Sequence, residues 1–471
     1  MRNSAILPIV VAAFLAGCTV GPNYQRPAVP APANFRAPEG TSTADPTSVG
    51  DLKWFEVFKD ERLQELVRTA LEQNYDLRDA VARVDASRAQ LGMTRSDQLP
   101  GVAAGANIST VRLSRNGQTP LPVSFVRSQD RTFGGAALDL LSYEVDIWGK
   151  LRRATEAARA NLLSAEENRK AVRTTLVSDV ASAYFSLREL DYQLDISQRT
   201  LATRKDSLGL IQNRQTGGVA TLLDLRQGEQ LVYTASETIP TLQQQIEQTE
   251  NQISLLLGKS PGDIQRGKSL TEQEMPPEVP AGLPSALLER RPDILAAEQN
   301  LIAANAEIGA ARALYFPQLS LGAFVGGQSR YLTQLLSGPA RVYSVAPSAL
   351  ESVFHAGQIR NQVRLSEAQE RELLVTYQRA IYTALREVAD AVVGFDKLRQ
   401  QREQEEQLVN TLQGTLQLSQ LRYRGGLDSY LQVLDAQRSL FSGQLVLAQL
   451  RLQERVSIVQ LYRALGGGWQ S

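Results

Sequence analysis

One thiol and one imidazole are all that 471 residues offer of the side chains that most often coordinate metals or attack substrates: Cys18 and His355. His355 has no second histidine and no nearby thiol with which to share a metal, so it reads as a packed or solvated side chain. The carboxylates are scattered, and no glycine-rich phosphate loop occurs. No catalytic site, metal site or enzyme is expected. Cys18 stands behind Arg2 and an apolar run from Ala5 to Ala16, too short to cross a bilayer as a helix. Residues 1–17 therefore read as a secretory signal peptide. Without other cysteines, the chain can build no internal disulfide in the oxidising compartment to which that signal leads.

Leu15-Ala16-Gly17-Cys18 resembles the lipobox of bacterial lipoproteins. The resemblance implies that the sulfur receives a diacylglycerol, the signal is removed, and Cys18 becomes an acylated first residue. Thr19 follows it, not the aspartate that marks inner-membrane retention in this class. Buried acyl chains contribute about 0.8 kcal/mol per methylene, enough to anchor a protein without a spanning helix. A covalent lipid on Cys18 is the only non-protein group expected; cofactors are expected to be none.

Fifty Lys+Arg balance fifty Asp+Glu, so nothing points to nucleic acid. After the signal no apolar run approaches the ~18 residues of a transmembrane helix, so a membrane crossing would have to use strands of a closed barrel. Six prolines between Pro22 and Pro46 give residues 18–52 the character of an extended tether. Pro276, Pro277, Pro280 and Pro284 mark a linker over 259–284. No proline lies between Pro122 and Pro240, or after Pro347. Such stretches, rich in Leu, Ala, Gln, Glu and Arg, predict long helices.

The chain is written twice. "DLRDAVARVDASRAQLGMTRSDQLPGV" from Asp76 matches "DILAAEQNLIAANAEIGAARALYFPQL" from Asp293, aligning Gly92 with Gly309, Arg95 with Arg312 and Pro100 with Pro317, each 217 positions apart. Gly149 with Gly357, Gly217 with Gly425, and Gly258 with Gly466 share an offset of 208. Six pairs in order on two offsets indicate a duplicated unit, a first repeat over 53–258 and a second over 285–466, with 467–471 as a tail. Within each copy 68 residues separate the first glycine from the turn glycine, a helix of about 100 Å at 1.5 Å per residue. Leu176, Val180, Ala183, Leu187, Leu190 and Leu194 form a coiled-coil seam, repeated at Ala384, Val388, Ala391, Phe395 and Leu398. Gly217-Gly218 and Gly425-Gly426 end these helices and start returning ones; Gly425 is expected at positive φ, and Pro240 is expected to kink the first return.

After Pro100 and Pro317 the period changes to two. Val102, Ala104, Ala106 and Ile108 alternate with small or polar residues, as do Leu319, Leu321, Ala323 and Val325. One apolar face and one polar face suit lipid outside and water inside. Weaker alternation over Thr132–Asp146 and Val342–Phe354 completes two β-hairpins, about 101–146 and 318–354. Tyr143 and Trp148 fit a membrane interface, and plain packing explains them as well. Four strands cannot close a barrel, so the chain must assemble with copies of itself; three chains would give 12 strands. The fold class is α+β: a transmembrane β-barrel continuing into a long α-helical barrel. A coiled-coil periplasmic lipoprotein, adaptor or spacer without a pore, remains the alternative.

Several blocks resemble outer-membrane efflux proteins of the TolC/OprM type, in their lipoprotein branch. They are "CTVGPNYQRP", "KWFEVFKDERLQELVRTALEQNYDL", "RRPDILAAEQNLIAANAEIGAARALYFPQLSL" and "YRGGLDSYLQVLDAQRSL". The resemblance covers essentially the whole mature chain. It implies a homotrimer, a shared barrel in outer-membrane lipid, an α-helical tunnel into the periplasm with an equatorial region, and partners: a periplasmic adaptor and an inner-membrane pump. It also assigns a periplasmic gate to Leu431, Asp435 and Arg438. Gln432 stands where some members carry a second aspartate. Asp224, Arg226 and Gln227 of the first copy are possible latch partners, and Gly217, Gly218, Gly425 and Gly426 are the adaptor-docking turns. Glu406, mid-helix, is expected to be a solvated charge.

Overall fold

The computed structural model describes residues 19–30, 52–112, 130–273 and 287–467. Cys18, the expected signal peptide and the proline cluster from Pro276 to Pro284 lie outside them. The first copy contributes α1 (Trp54–Val57), α2 (Glu61–Gln73), α3 (Tyr75–Ser96), β1 (Val102–Arg112), β2 (Asp130–Glu144), α4 (Lys150–Thr216) and α5 (Leu222–Leu256). The second contributes α6 (Leu287–Arg290), α7 (Pro292–Ala313), β3 (Gln318–Ser329), β4 (Arg341–Leu350), α8 (Gln358–Arg424) and α9 (Tyr430–Ala464). The duplication is dimensional as well as sequential: α4 and α8 each have 67 residues, α5 and α9 each 35.

The chain divides into two compact units. Of the described residues, the first holds 19–27, 85–112, 130–164 and 298–376, and contains the sheet. The strands form one antiparallel meander in the order β1-β2-β3-β4. Register fixes what each face carries, because residues paired across strands point the same way. Val102↔Leu140, Ala104↔Leu138, Leu138↔Val325, Val325↔Tyr343 and Ala323↔Val345 build one apolar face. Gly105↔Ala137, Asn107↔Gly135, Asp139↔Phe324, Phe324↔Ser344 and Ser320↔Ser348 build the other, small and largely polar. The β2–β3 register shifts between Leu140 and Tyr143, a bulge that carries Tyr143 onto the apolar face beside Leu321. Pro347 does not break β4: it pairs with Leu321 inside the strand.

Within the same unit the start of the expected tether is docked. Val20 N donates to Trp148 O at 3.0 Å, Arg153 to Asn23 Oδ1 at 2.7 Å, and Tyr24 Oη to Glu298 at 3.1 Å. The docked segment explains an asymmetry between the copies. A Cβ on Gly309 would lie 2.8 Å from Val20 O, whereas its repeat partner Gly92 faces open space. Gly21, at φ 104°, closes on Gly309 in turn. Position 309 must stay small because chain passes over it.

Of the described residues, the second unit holds 28–30, 52–84, 165–273, 287–297 and 377–467. Its core contains the seam read from sequence: Leu176, Val180, Ala183 and Leu187 are buried, and Leu190 and Leu194 pack against them. The seam serves a globular knot as well as a helix pair, since Trp54, Phe58, Leu63 and Tyr462 join it. Asp60 is its polar hub. Buried at 2 %, it accepts from Arg62 N, Leu63 N, Tyr184 Oη, Lys268 N and Gln273 Nε2 at 2.6–3.3 Å. The described part of the expected linker, through Gln273, is thereby stitched to the core, and Ile264 and Leu270 are buried. Helix α5 runs as one element through Pro240.

Candidate functional site

Both long helices end in the same way. Gly218 N bonds Gln215 O at 3.0 Å and Val219 N bonds Arg214 O at 2.9 Å; Gly426 N bonds Tyr423 O at 3.1 Å and Leu427 N bonds Arg422 O at 2.9 Å. This is the Schellman arrangement, and it needs a left-handed residue. That residue is Gly218, at φ 76°, and Gly426, at φ 74°. The positive φ expected at Gly425 therefore belongs to the next residue. Gly425 and Gly217 still bond within the helix, to Leu421 O and Asn213 O at 3.0 Å. A Cβ on Gly425 would meet nothing nearer than 3.5 Å.

The returning helices then start differently. Thr221 and Asp224 form a capping box at the head of α5: Asp224 Oδ2 accepts from Thr221 N at 2.9 Å, and Thr221 Oγ1 from Asp224 N at 3.1 Å. Ser429 caps α9 without a side-chain bond. There Arg422 clamps Asp428 through two hydrogen bonds, at 2.5 and 3.1 Å. The Arg422 bond holds the Asp428 carboxyl below its usual range.

Helix α9 has two faces at this end. Tyr430, Val433 and Leu434 are buried against Ile211, with Tyr423 alongside. Burial, then the charges of Tyr423 and Asp224, push the Tyr430 phenol up to about 12. Arg214 lies 4.7 Å from the Tyr423 ring centroid, and Tyr423 is 5.3 Å from Tyr430. Sequence reasoning missed this stack, although Arg214 is the repeat partner of Arg422 and both turns were aligned. Leu431, Asp435 and Arg438 lie on the other face, exposed, with Arg438 bonded to Asp435 at 2.7 Å. Asp224 is engaged in its capping box, and Arg226 bonds Glu229 at 2.8 Å. Within one chain, then, Asp224 and Arg226 take local partners, and the three residues expected at the gate keep an open face. Gln227 is half-buried beside them.

Glu406 is not a solvated charge. It bonds Arg402 and Arg451, each at 2.9 Å. Burial alone would raise its carboxyl; the Arg451 bond and the charges of both arginines outweigh that and hold it low. Among the described residues no cluster of three or more metal-binding side chains occurs, and no helix is long and apolar enough to cross a membrane.

Comparison with known proteins agrees with this architecture. The family model described as "Outer membrane efflux protein" matches residues 66–259 and 283–467, one segment per repeat. The chain is 37 % identical to the antibiotic efflux pump outer membrane protein ArpC of Pseudomonas putida, over 99 % of this chain and 96 % of that one. It is 36 % identical to the toluene efflux pump outer membrane protein TtgC of the same species, with the same coverages. The crystal structure of the open state of the Neisseria gonorrhoeae MtrE outer membrane channel superposes with a TM-score of 0.85 at 31 % identity, covering 96 % of this chain and 99 % of that one.

Proposed function

This chain belongs to the outer membrane efflux protein family, and from that premise we propose how its parts make an efflux path. It is an outer-membrane efflux channel, which sets aside the reading of a poreless coiled-coil lipoprotein. The observation that carries the assembly is the meander itself: one apolar face, one polar face, and outer strands β1 and β4 that pair on one side only among the described residues. Strands of 10–15 residues are long enough to span the hydrocarbon layer with tilt. In lipid each unpaired backbone group costs several kcal/mol, so β4 of one chain must meet β1 of the next. Two chains would give about eight strands, a barrel filled by its own side chains. Three chains give 12 strands and an open lumen.

In this reading Cys18 carries the lipid, and the docked residues 19–27 fix where that lipid enters the membrane. The helix turns at Gly217-Gly218 and Gly425-Gly426 face the periplasm, where exposed Val219 and Leu427 offer apolar contacts to an adaptor that links the channel to an inner-membrane pump. The open face of Leu431, Asp435 and Arg438 points to the shared axis. Three leucines then form an apolar plug and three aspartates a charged ring. Cargo passes through without chemical change and belongs to the class named for the relatives, antibiotics and aromatic solvents. Native mass spectrometry of the purified membrane protein, with conductance in planar bilayers, tests this. Three chain masses, each with acyl mass on Cys18, and ion conductance are expected. A monomer or a non-conducting dimer overturns the assembly, and a free thiol at the mature N-terminus overturns the anchor.

A further inference from the structure

Arg204 is buried in the second unit without a counter-charge. It extends from α4 toward α9, where its guanidinium lies 4.8 Å from the Phe441 ring centroid, and Nη1 donates to Leu231 O at 2.7 Å. The residue is only 3 % exposed, Nε has no acceptor, and among the described residues no carboxylate ion-pairs with it. Burial lowers its pKa, with Tyr430 only partly offsetting the cost of holding charge there. A buried guanidinium without an anion is an expensive arrangement, and proteins normally neutralise it.

Beside it opens a cavity of about 170 Å³, walled by Ile196, Thr200, Leu416, Gln437 and Phe441. Gln437 is 5 % exposed; its Nε2 donates to Ser207 Oγ at 3.2 Å, and its Oε1 has no partner. Arg199 at the rim is already paired with Asp195. The net charge in the cavity is therefore that of Arg204. Drug-sized ligands need roughly 300–1,000 Å³, so this is no cargo pocket, whereas one water needs only about 10–15 Å³. The room suits a small ion with part of its hydration shell.

The duplication shows that the helix does not require the arginine. The repeat partner of Arg204 is Leu412, in a helix of the same 67 residues. The partner of Gln437 is Glu229. Charge and amide thus stand where the fold accepts other residues, and both line one cavity.

We propose that this cavity binds a small oxyanion of phosphate or sulfate size, with the Arg204 guanidinium supplying the charge and the Thr200 hydroxyl and Gln437 amide on its wall. The site ties α4 to the buried face of α9, directly behind Asp435 and Arg438. An occupied site holds that helix in its packed position; this consequence rests on the gate reading above, and the binding does not.

The experiment uses the assembled channel in detergent, titrated with sodium phosphate at fixed ionic strength, with the thermal midpoint as readout; sulfate is run in parallel. Wild type is expected to show a saturable rise. Arg204→Leu, which installs the residue of the second copy, is expected to lose that response. Gln437→Glu, which supplies the anion covalently, is expected to melt no lower than saturated wild type and to ignore phosphate. No response in wild type, meaning the cavity holds water only, or equal responses in wild type and Arg204→Leu, overturns the site. In planar bilayers, phosphate should lower wild-type opening frequency and leave Arg204→Leu unchanged. Binding with unaltered opening overturns the hold on the gate helix and not the site.

Discussion

Arg26 grips Glu298 with two hydrogen bonds of 2.6 Å each, across 272 residues of sequence. The Glu298 side chain is 5 % exposed, so one partner of the pair is withdrawn from water. Removing Arg26 leaves a buried carboxylate to which the Tyr24 hydroxyl still donates. Arg26→Ala is expected to cost about 1–3 kcal/mol and to release residues 19–27 from their groove. Limited proteolysis of the folded assembly checks this: the variant's N-terminal segment should be cut well before the helices, whereas Arg62→Ala, an exposed i,i+3 pair, should match wild type.

Asp60 gathers five donors, and Tyr184 ties it to Gly267, whose N–H donates to the phenol oxygen at 2.9 Å. Asp60→Ala orphans several buried donors at once and is expected to destabilise by more than about 3 kcal/mol. Thermal melts of Asp60→Ala and Asp60→Asn should rank both below wild type, with the alanine lower.

Tyr184 also sets an alkaline limit. Burial, then the charge of Asp60, push its phenol up to about 12, against about 10 in an unfolded chain. The folded pKa is the raised one. Its contribution to stability is therefore fully present below about pH 10 and is lost as pH rises toward 12. Tyr430 behaves alike. Tyr184→Phe with Tyr430→Phe should flatten the fall in thermal midpoint between about pH 10 and 12; an unchanged slope would show that other groups cause it.

The turn glycines separate strain from sequence match. Gly426→Val and Gly218→Val force a β-branched residue to positive φ, a cost of about 1–3 kcal/mol. Gly425→Ala meets no close atom and should be nearly silent. Drug susceptibility of strains carrying each variant, with trimer content measured in parallel, should show lost efflux only for the two positive-φ positions.

The gate calls for paired removal. Exposed ion pairs contribute only about 0.2–1 kcal/mol each, so Asp435→Ala alone should open the channel little. Leu431→Ala with Asp435→Ala should raise resting conductance, and Asp435→Ala should weaken cation selectivity. Glu406 is unsuitable as a control because two arginines hold it; exposed Glu247 serves instead. Equal conductance of the double mutant and wild type would sink the assignment.

The sequence by itself determined the elements and their doubling. Period 3.6 over proline-free stretches, period two after Pro100 and Pro317, and glycines at fixed offsets are local signals, because backbone geometry demands them wherever the chain ends up. The same offsets carried the turns to within one residue, missing the positive φ at Gly426 because two adjacent glycines look alike in sequence and only the hydrogen-bond pattern distinguishes them. Tertiary structure alone decided which surfaces those elements meet. Nothing local to Arg26 and Glu298, to Asp60 and Gln273, or to Arg204 and Gln437 announces a contact between residues so far apart in sequence. A tether rich in proline reads as extended whether or not it is docked, and a mid-helix glutamate four residues from Arg402 reads as solvated until Arg451 of α9 closes on it. Those partners are set by packing between distant segments, in which burial removes the water that would otherwise have satisfied each group alone.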